Sequence, residues 1–483
     1  MRPTTDSRDV AATLSWLLQV GKRWKACWQN DGGGTMKIAA MFCWSMILLP
    51  FVLAADEPVK KADAEELFRA RDDRPVLPVT VEQLKKLGIE VYESKRLKLF
   101  SDIDPTIAKT LPPLVDQAYV AWEEYFGKLP PARDESEFQI SGYLMKDKAK
   151  FEEEGLLRAK LLDQFHGRQI GYQFWMMDQA TDYYRRHLLL HEATHAFMWA
   201  IPNLKVPNAY MEGMAEYFGT HQVIGGKLQV RLMPLNHAEF RGHERLFLMR
   251  RDVKQRGSPE LLDIIDWKPE TFQALNESYA WAWGQSIFFE ENPRTRKRFR
   301  KLATSLANPI AWRTFELELK PDLPEIVTEW NLFASDAWEG FDFQNSAIEF
   351  HEGQTLTKPQ RTEVRADRGW QSSRVLVEKG LRYELVATGQ FTLAEKPKPW
   401  VSEADGITFR YHNSRPLGQL LATIRPAMKA DDEREPMLDV KPLGNKSVFE
   451  APRTGTLYLR LNDHPGELAD NHGSVTVEVR RAE

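Results

Sequence analysis

The spacing of hydrophobic and polar positions changes at about residue 345 of the chain. Before it, most apolar residues recur at helical spacing, and after it short runs alternate apolar with polar residues between clusters of Gly, Pro and Asn. Helical spacing gathers apolar side chains on one helix face, whereas alternation gathers them on one face of a strand. The pattern predicts a multidomain α+β protein, in which a small sheet and a mainly helical part precede an all-β sandwich.

The part before the change mixes strands with helices. Apolar residues at helical spacing predict a helix at 111–126, which Gly127 ends. Alternating or apolar runs predict strands at 89–92, 97–101, 138–144 and 169–177. We divide the chain into a leader (1–55), an N-terminal α/β part (56–135), a core (136–344) and a sandwich (345–483).

The first 55 residues have the layout of a secretory signal peptide. A short basic start at Met36 precedes an apolar run that ends in the small residues Ala54 and Ala55. Signal peptides show this order of charge, apolar stretch and small cleavage residues. We therefore expect translation to begin at Met36 and the mature protein to be exported to the periplasm or the extracellular space. A membrane anchor is the alternative, but the run is short for a span and contains Pro50, so no stable membrane insertion is expected.

Composition narrows the function further. The formal net charge is −4 and no basic block stands out, which predicts that the protein does not bind nucleic acid. Both cysteines, Cys27 and Cys43, lie in the predicted leader. The mature chain would therefore have neither a disulfide nor a cysteine nucleophile.

A strongly apolar helical run contains the pentapeptide HEATH at 191–195. His191 and His195 are four positions apart and lie one turn above each other on a helix, so both imidazoles can reach one cation. Tetrahedral zinc accepts such nitrogen ligands. Glu192 follows the first histidine, where its carboxylate can take a proton from a water molecule. The alternative is a buried helix whose two histidines only make hydrogen bonds.

A second helix with the sequence YMEGMAEY is predicted at 210–217, after a loop with two prolines. A catalytic zinc takes three protein ligands and keeps one open position. Glu212 supplies a third ligand beside His191 and His195. Glu216, one helical turn later, is the rival, and its other possible role is to support a ligand histidine.

HEATH followed by EGMAEY resembles the gluzincin metallopeptidases, the group that includes thermolysin-like proteases and zinc aminopeptidases. The resemblance implies a gluzincin-like domain with zinc on His191, His195 and Glu212 and with Glu192 as the catalytic base. It favours Glu212 over Glu216 as the third ligand. It also implies that an edge strand, here at 169–177, borders the cleft and pairs with the substrate backbone.

Two further features refine the resemblance. Tyr279 opens a hydrophobic helix and resembles the tyrosine that donates to the oxyanion in zinc aminopeptidases; a core tyrosine in an aromatic helix is the alternative. The Gly-x-Met-Glu-Asn motif, by which those aminopeptidases bind the substrate amine, is absent from the sequence. The expected activity is therefore that of an endopeptidase rather than an aminopeptidase, and carboxyl-side specificity is left open.

The loop NDHPGELADNHG at 462–473 is the most informative part of the predicted sandwich. Asp463, Asp470 and Asn471 carry side-chain oxygens, and a backbone carbonyl lies near Glu467. Calcium prefers such oxygen ligands, so the loop is a candidate calcium site. The alternative is that these Asp and Asn residues only shape turns.

The sandwich resembles the calcium-dependent galactose-binding lectins of bacteria, whose last hairpin reads Asn-Asp-x-Pro-Gly, an Asn pair and Gly. Here Asp470 and Asn471 replace the Asn pair. The sugar-contacting His-Pro-Asp-Gln-Gly stretch of those lectins aligns with 402–406, which lacks the His and the Gln. The resemblance implies a lectin-like fold, bound Ca²⁺ and glycans as partners.

The sequence thus predicts an exported zinc metallopeptidase that cleaves a peptide or protein substrate and binds glycans or a surface through its sandwich. The alternative is a catalytically inactive, peptidase-like scaffold that acts as a carbohydrate-binding or adhesive protein.

Overall fold

A computed structural model describes residues 74–132, 134–158, 166–427 and 434–482. All of them belong to one compact unit, Lys61–Glu483. The predicted leader with its two cysteines lies outside the described residues. None of the helices in the described ranges is long and apolar enough to span a bilayer. The described chain mixes a helical region with sandwich-forming sheets, which confirms the predicted α+β class.

A five-stranded sheet forms the first layer. Its strands are β1 (Glu90–Glu93), β2 (Leu97–Ser101), β3 (Ile140–Met145), β4 (Gly167–Ile170) and β5 (Gln173–Met177). They lie in the order β1-β2-β3-β5-β4; the three central strands are parallel and the two edges antiparallel. Because β2 pairs with β3, residues on both sides of the predicted boundary at 135 share this sheet, and the domain boundaries stay predictions.

The single strand predicted at 169–177 is wrong, because the chain forms two strands there. Gly171, with a φ of 64°, turns the chain between β4 and β5. Glycine adopts this left-handed conformation without the steric cost that other residues meet. The edge position belongs to β4, whereas β5 lies inside the sheet.

Helices cover the sheet and make up most of the core that follows. They are α1 (Val81–Lys86), α2 (Pro105–Ala108), α3 (Pro112–Phe126), α4 (Lys148–Glu153), α5 (Asp182–Trp199), α6 (Asn208–Gly219), α7 (Arg245–Arg256), α8 (Pro269–Ala274), α9 (Asn276–Glu291), α10 (Arg296–Ala303), α11 (Ala311–Leu319), α12 (Leu323–Ser335) and α13 (Phe343–Ser346). A hairpin of β6 (His221–Ile224) and β7 (Lys227–Val230) follows α6.

Three central helices, α5, α6 and α9, pack against one another in the order α5-α6-α9. Thr181 caps α5, because its hydroxyl accepts a hydrogen bond from the backbone NH of Tyr184 at 3.1 Å. A Cβ on Gly213 of α6 would overlap the Ala282 carbonyl and the Ser286 hydroxyl of α9. The glycine therefore lets α6 approach the backbone of α9 directly.

Helix α7 packs on α9 and connects the core with the segment that leads to the sandwich. Arg250 of α7 donates to the Ala337 carbonyl at 2.6 Å, and its guanidinium lies 4.0 Å from the ring centre of Trp338. The Trp338 ring in turn lies 5.7 Å from the ring of His464, in the loop at 462–473.

The C-terminal part is a sandwich of two sheets. The strands are β8 (Gln354–Thr355), β9 (Gln360–Arg365), β10 (Gln371–Val377), β11 (Arg382–Thr388), β12 (Phe391–Thr392), β13 (Val401–Ser402), β14 (Tyr411–His412), β15 (Arg415–Pro416), β16 (Leu420–Arg425), β17 (Lys441–Pro442), β18 (Lys446–Glu450), β19 (Gly455–Leu461) and β20 (His472–Arg481). One sheet has the order β17-β16-β19-β10-β8 and the other β13-β12-β20-β11-β18, with β9 also on β20. The alternating side chains of β20 show the pattern, since Val475, Val477 and Val479 are buried in the sandwich core.

Candidate metal centre

Helix α5 presents His191 and His195 from consecutive turns. Apolar neighbours surround them, so the helix is buried along almost all of its last three turns. The two Nε2 atoms lie 3.1 Å apart. Both imidazoles therefore point at one spot from the same face, as the four-residue spacing predicts.

Glu212, at the start of α6, completes this cluster. Its Oε2 lies 3.2 Å from Nε2 of His195 and 3.5 Å from Nε2 of His191. Ligands of a tetrahedral zinc, at bond lengths near 2.0–2.2 Å, are about 3.3 Å apart. The three atoms therefore fit three positions around one four-coordinate ion.

Glu216 lies behind the cluster and contacts His191 on its other nitrogen, Nδ1, at 3.3 Å. Arg245 of α7 binds both carboxylate oxygens of Glu216, at 2.7 and 2.8 Å, and Nε2 of His187 lies 3.1 Å from Oε2. A carboxylate on the second nitrogen of a ligand histidine fixes the orientation and tautomer of the ring. Glu212 therefore lies with the Nε2 atoms of both histidines, whereas Glu216 lies behind His191, on the side of its Nδ1.

Within the described ranges, groups of three acidic, His or Cys side chains with ligand atoms inside 4.8 Å occur at two places. One is His191, His195 and Glu212, and the other is His187, His191 and Glu216. In the second group the guanidinium of Arg245 already pairs with the Glu216 carboxylate through two hydrogen bonds. A cation bound there would have to displace this guanidinium or be repelled by its positive charge. The first group is therefore the better cation site.

The carboxylates of the cluster are held ionised. Burial opposes a charge on Glu212, but His195 and His191 outweigh it and lower its pKa to about 2. Burial is likewise outweighed by Arg245 at Glu216, whose pKa lies well below its usual range. At His191 burial opposes the charged form, yet the contacts with Glu212 and Glu216 raise its pKa well above the usual value. A cation that binds there therefore displaces a proton.

Glu192 is buried next to the cluster, beneath the edge strand β4. Burial raises its pKa, with the positive charge on His191 opposing. A Cβ on Gly167, the first residue of β4, would overlap the Glu192 carboxylate and Leu188. The absence of a side chain at residue 167 thus lets the backbone of the edge strand lie close to the acid.

Tyr279 lies on the other side, in the first turn of α9. Its ring centre is 6.4 Å from that of His191 and 5.9 Å from the guanidinium carbon of Arg245. Burial, reinforced by the negative charges of Glu212, Glu216 and Glu192, raises its pKa above the usual value. The phenol is therefore protonated at neutral pH and can donate a hydrogen bond.

The predicted calcium loop brings only part of its residues together. The side chain of Asp463 is buried and accepts from His464 NH at 2.7 Å and from Asn471 Nδ2 at 2.8 Å. The Glu467 side chain pairs with Arg410 at 2.8 Å, a contact that does not involve the backbone carbonyl of the prediction, and the Asp470 side chain is exposed. Burial raises the pKa of Asp463 to about 6. The occupancy of this loop by calcium stays a prediction.

Three residues near the cluster were missed by the sequence analysis: His187, Arg245 and Gly167. A signal for the first was present, because His187, His191 and His195 continue one spacing of four along α5. Arg245 and Gly167 carry no such signal, since tertiary packing alone brings them to Glu216 and Glu192.

Comparison with protein-family models and with curated proteins found no match. Among solved structures, the chain is similar to one described as "EclA N-terminal domain; PllA-like lectin". The two are 20% identical with a TM-score of 0.20, over 26% of this chain and 96% of that one. A TM-score this low does not bear on function, so the fold rests on the strands and registers given above.

Proposed function

We propose that the protein is an exported zinc-dependent metallopeptidase of the gluzincin type. The observation that carries the proposal is the convergence of His191, His195 and Glu212 within 3.5 Å, at the spacing that tetrahedral zinc needs. Glu216 supports His191 from behind, as carboxylates do in metal sites. Export rests on the predicted signal peptide alone.

Zinc bound to these three residues would supply Lewis acidity, which lowers the pKa of a water and polarises a peptide carbonyl. With zinc bound, Glu192 would accept the proton of the attacking water and pass it to the leaving amine; its buried carboxylate has a raised pKa, which suits a group that both takes and gives a proton. Tyr279 would donate a hydrogen bond to the oxyanion as negative charge develops.

The edge strand β4 is the proposed binding site for the substrate backbone. Its outer edge has no neighbouring strand in the described sheet, and Gly167 brings its backbone next to Glu192. An extended peptide that adds to this edge runs past the catalytic acid, with main-chain hydrogen bonds that do not depend on sequence. This arrangement favours internal cleavage of extended chains over removal of single terminal residues.

The alternative is an inactive scaffold. The buried acid Glu192 beside the ligand cluster favours the enzyme. Burial of an ionisable side chain lowers stability, so a buried acid at this position is better explained by a catalytic role.

The decisive variant is Glu192→Gln, compared with Glu124→Gln on the exposed face of α3. We expect Glu192→Gln to lower peptide hydrolysis by about 10³-fold, because general acid–base catalysis is lost. Zinc content, measured by mass spectrometry, should stay at the wild-type level in both variants. Wild-type protein that binds zinc but cleaves no member of a peptide library would favour the scaffold.

A further inference from the structure

A cavity lies where the helical core meets the sandwich. Its volume is about 260 Å³, and it is lined by the end of α12, by α13 and by sandwich residues that include Arg415 of β15 and Arg460 of β19. We call this space the junction cavity. Pockets for drug-sized ligands have about 300–1,000 Å³ and combine apolar walls with a few polar groups. The junction cavity is therefore of a size for a smaller organic molecule.

Aromatic rings form the apolar part of the lining. Phe333 of α12 and Phe343 of α13 both line the junction cavity, with ring centres 4.9 Å apart, and Trp370, just before β10, lines it as well. All three side chains are buried in the folded chain. Because packing already fixes these rings, a ligand that contacts them does not have to order them first.

The two carboxylates in the lining already accept hydrogen bonds on both of their oxygens. At Glu329, Oε1 accepts from the backbone NH of Ile348 and Oε2 from the side-chain amide of Asn292, both at 2.9 Å. At Asp336, each oxygen lies 3.0 Å from Nε2 of His412. These acids therefore offer little to a ligand that brings donors, which disfavours amines and other cations.

The arginines from the sandwich, in contrast, have donors to spare. Nε of Arg460 is buried and has no hydrogen-bond partner among the described residues, while its Nη2 donates to the Asp463 carbonyl at 3.0 Å. The Nη atoms of Arg415 reach the carbonyls of Asn413 and Val440 only at 3.4 Å, which is long for a hydrogen bond. A guanidinium carries five N–H donors, and a buried donor without an acceptor costs free energy.

The charges that line the junction cavity indicate the class of ligand. Three arginines (Arg415, Arg434 and Arg460) face two acids, Glu329 and Asp336, so positive charge is in excess. A ligand that fits brings acceptors and a negative charge. A carboxylate does both, since its two oxygens accept from a guanidinium in a fixed geometry. Inorganic phosphate has no apolar part to place against the aromatic rings.

We infer that the junction cavity binds a small monocarboxylate with an apolar body. Arg460 and Arg415 bind its two oxygens, and the body packs against Phe333, Phe343 and Trp370. This inference goes beyond the proposed hydrolysis and is independent of it. Because the ligand contacts both the helical core and the sandwich of the folded chain, it should also raise the temperature of unfolding.

The test is isothermal titration calorimetry of the full chain with phenylacetate, hexanoate and 3-methylbutanoate, each compared with its amide. The amide keeps the shape of the acid but lacks its charge and one acceptor. We expect at least one of the acids to bind and its amide to bind at least about tenfold more weakly. The same acid should raise the midpoint of thermal unfolding, and inorganic phosphate should not displace it.

Arg460→Gln and Arg415→Gln should each weaken binding of the acid at least about tenfold. Arg361→Gln, which changes a 75% exposed arginine on β9, is the matched control and should bind like the wild type. Glu192→Gln should also bind like the wild type, which separates this site from the proposed peptidase. Circular dichroism shows whether each variant is folded; if Arg460→Gln is not, Arg415→Gln decides alone.

Three results would overturn the inference. The first is that none of the three acids binds at millimolar concentration. The second is that the amides bind as tightly as the acids, or that phosphate displaces them, since either would remove the need for an apolar carboxylate. The third is an unchanged affinity in folded Arg415→Gln, which would place the bound acid elsewhere on the protein.

Discussion

Two regions of the molecule were candidates for a cation, and they differ in how their acceptor atoms are used. Between α5 and α6, one atom each of His191, His195 and Glu212 points at a common centre, within 3.5 Å of the others. In the loop at 462–473, both oxygens of Asp463 already accept hydrogen bonds from protein donors.

The comparison shows why ligands on helices are easier to place than ligands on a loop. Helical periodicity alone brings the side chains of His191 and His195 together, whereas the positions of the loop side chains depend on the dihedral angles of every residue in the loop. Its donors also compete directly with an ion, because a carboxylate oxygen that accepts from Asn471 is not equally available to calcium. Variants that change one residue in each region test this contrast.

The largest expected effect concerns metal content. Glu212→Ala should lose the roughly one zinc per chain expected of the wild type, since a catalytic site needs its three protein ligands. Glu467→Ala, the matched change in the sandwich loop, should keep it. Mass spectrometry after dialysis gives both values. Zinc that persists in Glu212→Ala but is lost in Glu216→Ala would reverse the roles of the two acids.

A smaller effect is expected from Tyr279→Phe. Loss of one hydrogen bond to the oxyanion should lower kcat about 10²-fold with little change in KM or zinc content. Tyr411→Phe, in the exposed part of the sandwich, should leave kcat unchanged. Steady-state kinetics on one peptide substrate gives kcat and KM for both variants. An unaltered kcat in Tyr279→Phe would show that this tyrosine contributes only to the packing of the core.

Arg245→Lys should weaken zinc binding by about tenfold, because supporting partners of ligand carboxylates and histidines typically contribute that much. Lysine keeps the charge but cannot bind both oxygens of Glu216. Arg410→Lys, which alters the corresponding pair with Glu467, serves as the control. Chelator competition measures the affinity, and equal values for both variants would contradict the positioning role of Arg245.

The last effect concerns the pH dependence of stability. The pKa of Asp463 is raised from 3.8 to about 6 in the folded protein. Between these pH values the folded chain holds a proton that the unfolded chain has released, so the free energy of unfolding falls as pH rises from about 4 to about 6. Above about pH 6 this contribution of Asp463 to the free energy of unfolding, on the order of 2–3 kcal/mol, is fully lost.

Asp463→Asn should lack this dependence, as urea unfolding in EDTA at several pH values would show. If calcium stabilises the wild type at neutral pH but not Asp463→Asn, the loop is a cation site after all. A wild-type stability that rises over the same pH range would contradict the raised pKa.

The sequence predicted those parts of the fold that local patterns determine. The helix that carries HEATH, the second helix with Glu212, the strand at 97–101 and the all-β region after residue 345 all occur where apolar spacing predicts them. The turn at Gly171 was missed, because an apolar run gives no sign of where a strand reverses. Arg245 and Gly167 reach the candidate site only through packing between elements distant in sequence, which no local pattern reveals, whereas His187 continues the four-residue spacing of α5.

Helix α7 constrains the lengths of chain that the protein can tolerate. Arg245, near its start, meets Glu216 behind the metal-ligand cluster, and Arg250 meets Ala337 and Trp338 next to the sandwich. One residue inserted or deleted between them turns the two guanidinium groups by about 100° relative to each other. Either Glu216 or Trp338 would then lose its partner. The five-residue separation of the two arginines therefore fixes the directions of both contacts around the helix axis. Insertions should be tolerated in the loops that flank α7 but not between these two residues.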